Sequence, residues 1–226
     1  MDWSLPLNAS TQGEAIDNLF WLIFWITVTA FVVVEAGVLW FLWKYRGRKG
    51  RQARYTHGNA TAEVIWTTIP AVVMVFLGIY SGRVWASIRS SDSYPDDALT
   101  IGVMAKQFEW IVTYPGEDRM LGNADDFTIR NRFEIPVNEP VVVMLESEDA
   151  IHSFFIPEMR VKQDAVPGMT IPIWFEAIRT GEFQIACAEL CGLGHYRMRA
   201  RVVVHDPTSY EAWYDERSAE AFAAEE

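Results

Sequence analysis

Two long apolar stretches in the first 90 residues limit the folds open to this chain of 226 residues. Phe20–Trp43 contains 24 residues and only one ionisable side chain, Glu35. About 20 consecutive apolar residues are enough for a helix to cross the hydrocarbon core of a bilayer. The second stretch, Val64–Trp85, is less apolar and contains Pro70, which a membrane helix tolerates when its neighbours satisfy the freed carbonyl. The two stretches predict a pair of membrane-spanning helices.

The connection between these two stretches is strongly basic. Lys44–Arg54 carries six Lys or Arg and no Asp or Glu. Basic loops stay on the cytoplasmic side of a membrane, so both ends of a hairpin over residues 20–90 lie on the outer side. The polar segment 1–19 and all residues after the hairpin are therefore expected in the periplasm or the mitochondrial intermembrane space. A nucleic-acid patch is the alternative for this loop, but its place between two spans argues against it.

The net charge of the chain changes sign at the end of the predicted hairpin. Residues 1–90 hold eight Lys or Arg and five Asp or Glu, a net charge of +3. Residues 91–226 hold eleven and 25, a net charge of −14. An acidic surface of this kind excludes a nucleic-acid partner, because phosphate binding needs Lys and Arg. It is compatible with the steering of a basic protein partner and, equally, with simple solubility.

A polar, turn-rich linker at residues 91–97 separates the hairpin from a region of short alternating runs. Many short strands punctuated by Pro, Gly and Asn predict an all-β sandwich, here over residues 98–206. The predicted strands are Leu99–Ala105, Glu109–Tyr114, Thr128–Phe133, Val141–Glu146, Phe154–Ile156, Ile171–Ala177, Gly181–Ala186 and Arg199–Val204. Residues 207–226 are predicted to form a helix with an acidic tail.

Both cysteines of the chain lie in the segment 187–198, where His195 and Met198 follow Cys187 and Cys191. Thiolate, imidazole and thioether ligands at this spacing form a soft donor set that suits copper. A disulfide, a zinc half-site and inert core thiols are the alternatives. The Cys-x-x-x-Cys loop is short for a disulfide, and zinc sites rarely use methionine. The pattern favours copper, and two thiolates allow two copper ions to be bridged.

A second copper ion needs a second imidazole, and three other histidines are available. His57 lies in the basic loop, and His205 follows the last predicted strand. His152 lies between two predicted strands, where a loop can approach the cysteine segment. His152 is therefore the favoured ligand, although a lone histidine is more often structural.

The order Cys-x-Glu-x-Cys-x-x-x-His-x-x-Met, following two membrane spans, resembles subunit II of the haem-copper oxygen reductases (cytochrome c oxidase). The resemblance covers nearly the whole chain and implies a cupredoxin-like sandwich with a binuclear CuA centre. In that centre both cysteines bridge the copper ions, each histidine binds one ion, and the thioether and a backbone carbonyl are weak axial ligands. The implied set is His152, Cys187, the Glu189 carbonyl, Cys191, His195 and Met198.

The resemblance implies roles for two more carboxylates. The Glu189 side chain would bind a magnesium or manganese ion shared with subunit I. Glu63, at the start of the second span, would lie at the entrance of a proton channel into subunit I. From the residues alone, Glu63 is more simply a carboxylate that interacts favourably with a helix N-terminus.

The segment Lys106–Trp110 resembles the aromatic patch through which electrons enter this family. Phe108 replaces the first tryptophan of the family pattern Gln-Trp-x-Trp, and Trp110 matches the second. Both aromatics are equally compatible with a place in the core. Glu148 and Asp149 match acidic residues that help dock a basic cytochrome c.

The implied function is electron transfer. The CuA centre would accept electrons from a cytochrome c-type donor and pass them to haem in subunit I, for oxygen reduction coupled to proton pumping. No residue of this chain is expected to be catalytic, and membrane lipid and the other oxidase subunits are the expected surroundings. The alternatives are a membrane-anchored copper chaperone with a thioredoxin-like fold, a subunit of a nitric-oxide-reducing relative, and an oxidase subunit that has lost its copper.

Overall fold

The computed structural model describes residues 4–52, 55–116 and 118–223. The chain divides into two compact units: residues 17–86 form one, and the described residues up to Ile16 and from Ser87 onward form the other. The described residues contain three α-helices: α1 (Gly13–Lys44), α2 (Ala60–Arg89) and α3 (Pro207–Ala223).

The first unit consists of most of α1 and α2, which are apolar around their whole circumference. None of the residues in their most apolar 18-residue windows is buried within the protein. A helix that is apolar on all sides is stable when lipid or another apolar partner covers it. The helices extend beyond the predicted spans at both ends. Asn59 caps α2, because its Oδ1 accepts the Ala62 N–H over 3.1 Å.

The described residues of the second unit form ten strands. Their bounds are β1 (Leu99–Lys106), β2 (Glu109–Tyr114), β3 (Phe127–Arg130), β4 (Arg132–Pro136), β5 (Pro140–Ser147), β6 (His152–Ile156), β7 (Val161–Ala165), β8 (Ile171–Glu176), β9 (Gly181–Cys187) and β10 (Arg199–His205). They form two five-stranded sheets, with strand orders β3-β2-β1-β5-β8 and β4-β10-β9-β6-β7. Pairs β1–β5 and β4–β10 are parallel, and the other pairs are antiparallel.

The two sheets pack face to face, because alternate residues of their strands are apolar and point inward. The largest fully buried side chains include Trp110, Tyr114, Phe133, Phe154 and Phe175. The predicted sandwich is confirmed.

One predicted strand is two strands in the structure. Residues 128–133 read as a continuous run, but Asn131 adopts a left-handed conformation with φ of 55°. Its N–H donates to the Trp110 carbonyl and its side chain accepts the Trp110 N–H. The chain therefore changes sheets at Asn131, from β3 in one sheet to β4 in the other.

Strand β7 was not predicted from the sequence. Its central residues Lys162, Gln163 and Asp164 are polar and only its first and last residues are buried. It is an edge strand of its sheet, where polar side chains reach solvent and oppose pairing with another chain. The alternation of apolar residues that reveals inner strands is absent here.

Helix α3 begins at Pro207, directly after Asp206. Asp206 is its N-cap, with a carboxylate that accepts the Ser209 N–H over 3.1 Å and the Ser209 hydroxyl over 2.6 Å. These hydrogen bonds hold the pKa of Asp206 below its ordinary value. Trp213 packs edge-on against Tyr114, which attaches the helix to the sandwich.

The segment just before α1 is part of the β unit. Ala9 and Ser10 are fully buried, and Ser10 forms a β-bridge with Ala177. The Ala9 N–H donates to the Glu158 carbonyl over 2.8 Å, and the Ser10 hydroxyl donates to the Met159 carbonyl over 2.7 Å. The polar N-terminal segment predicted for residues 1–19 thus has two parts among its described residues, a docked portion and the first turns of α1.

Candidate metal centre

Three chain segments meet at one end of the sandwich. His152 is the first residue of β6, Cys187 is the last residue of β9, and Met198 directly precedes β10. Strands β6 and β9 pair with Phe154 opposite Cys187, which brings His152 to the thiol. The Cys187 N–H donates to the Met198 carbonyl over 3.1 Å and closes the loop between β9 and β10.

The side chains of these segments converge on one small volume. The two Sγ atoms are 3.8 Å apart, and both cysteines are free thiols. The Nδ1 atom of His152 lies 3.9 Å from Cys187 Sγ and 3.1 Å from Met198 Sδ. The Nδ1 atom of His195 lies 3.7 Å from Cys191 Sγ, which is also 3.7 Å from Met198 Sδ. Both rings present the same nitrogen to the sulfur atoms.

Most of this cluster is shielded from water. His152 is fully buried, and Cys187, Cys191 and Met198 are buried too. His195 is half-buried and stands at the rim, in a single 3-10 turn over His195–Arg197. The arrangement is closed on one side and open on the other.

Burial and, after it, the neighbouring Cys187 raise the pKa of the Cys191 thiol to about 11. Without a metal the thiol is therefore protonated at neutral pH. A metal ion that binds as a thiolate complex must displace this proton, because the thiolate is the ligand form.

The donor set fits copper better than zinc. Two thiols, two imidazole nitrogens and a thioether are soft or borderline ligands, and copper accepts the thioether. The ligand atoms of His152, Cys187 and Cys191 all lie within 4.8 Å of one another, a separation that metal ions can bridge. The two thiols lie between the two rings, so each ring has its own sulfur neighbour. The residues present fit a copper centre.

Glu189 contacts the cluster through its backbone carbonyl. The Cys187 thiol donates to the Glu189 carbonyl over 3.1 Å, which places that oxygen at the edge of the cluster. The Glu189 residue is exposed. The carbonyl is thus available to the thiol cluster, and the carboxylate is available to a partner.

The two predicted electron-entry aromatics have different surroundings. Trp110 is fully buried, and its ring packs against His152 at 6.3 Å between centroids and against Phe154 at 5.6 Å. Phe108 is partly buried and lies beneath the ligand loop, with the Arg197 guanidinium 5.7 Å from its ring centroid. Trp110 forms an inner wall of the centre, and Phe108 is nearer the rim.

The two predicted docking acids both have partners within the chain. Glu148 accepts a hydrogen bond from Lys106 Nζ over 2.7 Å. Asp149 Oδ1 lies 2.8 Å from His152 Nε2, and Oδ2 accepts the Gln107 N–H over 2.8 Å. Burial opposes the ionisation of Asp149, but these hydrogen bonds outweigh it and lower the pKa below its usual value.

The remaining histidines and Glu63 lie in other places. His57 is exposed and packs against Tyr55 in the loop between α1 and α2. His205 contacts the buried carboxylate of Glu134. Glu63 is exposed in the first turn of α2.

Sequence reasoning did not identify two features of the site. Gln107 donates its side-chain N–H to the Cys191 carbonyl, and the nearby Gly192 and Gly194 are the one sequence signal of this close approach. The rim also carries exposed apolar side chains, which local composition does not distinguish from a core segment: Leu190, Leu193 and Tyr196.

The chain joins a pair of apolar helices to a β-sandwich, and one end of the sandwich gathers free thiols, imidazoles and a thioether. These features define a membrane-anchored, cupredoxin-like copper protein. The chain belongs to the cytochrome c oxidase subunit II family. Residues 97–205 match the family described as "Cytochrome C oxidase subunit II, periplasmic domain", and residues 1–84 match its transmembrane domain.

Curated relatives and a solved structure agree with this assignment. The "Alternative cytochrome c oxidase subunit 2" of Bradyrhizobium diazoefficiens is 33% identical over 95% of this chain and 84% of its own length. The "Cytochrome c oxidase subunit 2" of Thermostichus vulcanus is 31% identical over 97% of this chain and 80% of its own. The crystal structure of the periplasmic domain of subunit II of cytochrome oxidase from Bradyrhizobium japonicum has a TM-score of 0.50 and 29% identity, covering 56% of this chain and 97% of that one.

The protein is accordingly a subunit of a haem-copper oxidase, an oxidoreductase of the respiratory chain. It is a membrane protein whose C-terminal β domain lies on the outer side. These conclusions confirm the class, the fold and the location predicted from the sequence.

Proposed function

We propose that this subunit carries a binuclear CuA centre and moves single electrons from a donor outside the membrane to haem in subunit I. The observation that carries the proposal is the convergence of two free thiols, two Nδ1 atoms and one thioether with closest separations of 3.1–3.9 Å. The proposed ligands are His152, Cys187, the Glu189 carbonyl, Cys191, His195 and Met198.

When bound, the copper pair supplies one-electron redox chemistry in which two thiolates share the change of charge between the metal ions. The residues of the chain hold the ligand geometry and exclude water. The buried His152 and Cys187 are fixed by paired strands, and the Met198 carbonyl accepts the Cys187 N–H, so their positions change little when the charge of the site changes. A site that is arranged in advance needs little rearrangement during each electron transfer.

The proposed donor is a c-type cytochrome that docks near Phe108 and Trp110, with Glu148 and Asp149 on the docking face. Phe108 beside the rim offers an aromatic contact, and the buried Trp110 packs against the ring of His152. The neighbouring acids would favour a basic donor over an acidic one.

The proposed acceptor side involves subunit I. There, the exposed Glu189 carboxylate would bind a magnesium or manganese ion, since hard cations prefer oxygen ligands. Glu63 would lie at the entrance of a proton channel, and its place in the first turn of α2 leaves its carboxylate accessible. Oxygen reduction and proton pumping would take place in the other subunit, to which this chain contributes electrons.

Copper delivery as a chaperone fits the structure less well. A thioredoxin-like chaperone places its cysteines at the start of a helix within a strand–helix–strand unit. In the described part of this chain, Cys187 ends β9 and Cys191 follows it, and the segment leads into β10 through a single 3-10 turn. The ligand set is also more complete than transfer of one ion requires.

The decisive test is the metal content and spectrum of the full-length chain, purified in detergent and loaded with copper. We expect two copper ions per chain and the purple colour and mixed-valence spectrum of a delocalised pair. A blue spectrum from a single copper ion, or a disulfide between Cys187 and Cys191 in the working complex, would contradict the proposal.

A Met198→Leu variant tests the axial role of the thioether. Met198 Sδ lies 3.7 Å from Cys191 Sγ, close enough to share a metal ion with it. We expect a shifted reduction potential with both copper ions retained, because a weak axial ligand tunes the centre without holding it. Complete loss of copper would argue against an axial role.

A further inference from the structure

The turn between β1 and β2 touches both ligand-bearing parts of the metal centre. At its middle, the Gln107 backbone N–H donates to Asp149 Oδ2 over 2.8 Å. The other oxygen of Asp149 lies 2.8 Å from His152 Nε2. The Gln107 side chain points the opposite way and donates its Nε2–H to the carbonyl of Cys191. One residue thus connects, through hydrogen bonds, a buried imidazole ligand with a bridging thiol segment.

The direction of these hydrogen bonds is fixed by chemistry. An ionised carboxylate only accepts, so the Gln107 N–H, the Ala150 N–H and the His152 ring are all donors to Asp149. The ring then carries its proton on Nε2 and leaves the Nδ1 lone pair free to face the sulfur atoms. The carbonyl of Cys191 also only accepts, so it requires the amide donor that Gln107 provides.

The ligand loop is shaped for the approach of this turn. A Cβ atom at Gly192 would lie 2.8 Å from Gln107 Nε2, and one at Gly194 would lie 2.4 Å from the Phe108 ring. Gly192 also has φ of +133°, which side-chain-bearing residues rarely adopt. Both glycines are therefore explained by close packing of the turn on the loop.

We propose that Gln107 is a positioning residue of the metal centre, which fixes the His152 half and the Cys191 half relative to each other before metal binds. The proposal rests on the copper centre described above and adds a residue that contacts no metal. Partners of this kind orient the ligands, and their loss typically lowers metal affinity by about 10–100-fold. The same turn that places Phe108 against the ligand loop would then also set the geometry of the ligands.

Two variants remove the hydrogen-bond donor of the Gln107 side chain while keeping the length of the side chain. Gln107→Glu keeps the length of the side chain, removes the donor and adds a negative charge. Gln107→Met keeps the length and removes the donor without adding charge. The matched control is Gln184→Glu on β9, an exposed residue at which the same change of charge occurs away from the ligands.

The first measurement uses the full-length, copper-loaded chain in detergent and a competing copper chelator. We expect both Gln107 variants to retain copper about 10–100-fold less tightly than the unaltered chain, with changed copper hyperfine splitting in the electron paramagnetic resonance spectrum. The control should match the unaltered chain in both properties. Copper retention and spectra that are unchanged in both variants would overturn the proposal.

The second measurement needs no metal and distinguishes the positioning role from the function of the centre. With ¹⁵N-labelled histidine, the apo chain should show a His152 Nε2–H resonance protected from exchange, because the ring is fully buried and bonded to Asp149. Gln107→Met should shift this resonance and speed its exchange, and Gln184→Glu should not. If the unaltered chain bound a single copper ion, the binuclear proposal would fail, while this resonance would still decide the role of Gln107.

Discussion

The two histidines of the centre have opposite surroundings. His152 is fully buried, begins a strand and has its outer nitrogen bonded to Asp149. His195 is half-buried in a single 3-10 turn, and within the described part of the chain no side chain is hydrogen-bonded to its Nε2. Its neighbours Leu193 and Tyr196 are 98% and 86% exposed.

This contrast indicates that the two halves of the site have different roles. The His152 half is fixed by the β-sandwich and by a carboxylate, so the fold itself determines its geometry. The His195 half lies on a loop whose apolar side chains face outward. A relay between two partners needs both features, a rigid interior and an edge that another protein can approach.

The largest effect on copper binding should come from replacing each of the two histidines in turn. We expect His152→Gln to weaken copper retention by about tenfold more than His195→Gln, because the buried half cannot rearrange to recruit another ligand or water. Chelator competition with each full-length variant measures the difference. Equal losses would show that the contrast in burial has no consequence for metal binding.

A smaller effect should follow from the carboxylate that only the His152 half possesses. We expect Asp149→Asn to raise the reduction potential, since removing a negative charge beside the ring destabilises the more positive oxidised site. Copper retention should fall by about 10–100-fold at most. Redox titration followed by the near-infrared absorption of the centre measures the potential.

Glu148→Gln is the matched control for that change. Glu148 adjoins Asp149 in sequence but pairs with the exposed Lys106. Its replacement should leave the potential unchanged and alter only the salt dependence of donor association. A potential that moves equally in both variants would point to a general field effect instead of the contact with His152.

The smallest effect on the metal should come from the rim. Leu193→Ser removes an apolar side chain that contributes nothing to the core, so copper content and potential should remain those of the unaltered chain. We expect weaker association with a partner, because exposed apolar patches usually mark contact surfaces. Electron-transfer rates at varied donor concentration and assembly with subunit I would show which partner is affected. No change in either measurement would show that the rim does not contact a partner.

Local patterns in the sequence were enough to predict the helices and to propose much of the ligand set. The length and apolarity of α1 and α2, and the spacing of the residues from Cys187 to Met198, are properties of short continuous segments. The inner strands show the alternation of a two-layer sandwich. Edge strand β7 lacks this alternation because its central residues are polar. The change of sheet at Asn131 has no such pattern either, because it depends on a single residue in a left-handed conformation.

The docked segment before α1 shows the same limit. Ala9 and Ser10 are buried by contacts with residues some 150 positions further along the chain. Their own sequence is short and unremarkable in polarity, so no local pattern predicts this burial.

The sequence by itself determined that the chain has two membrane helices, a β domain and a soft-ligand segment, because hydrophobic length and ligand spacing are local quantities. The tertiary structure alone brought His152 to the thiols, through the pairing of β6 with β9. It also gave Gln107 its hydrogen bonds to Asp149 and to Cys191, which lie 42 and 84 positions further along the chain. The physical reason is that hydrogen bonds between residues more than 30 positions apart depend on how the sheets fold, which no short stretch of sequence specifies.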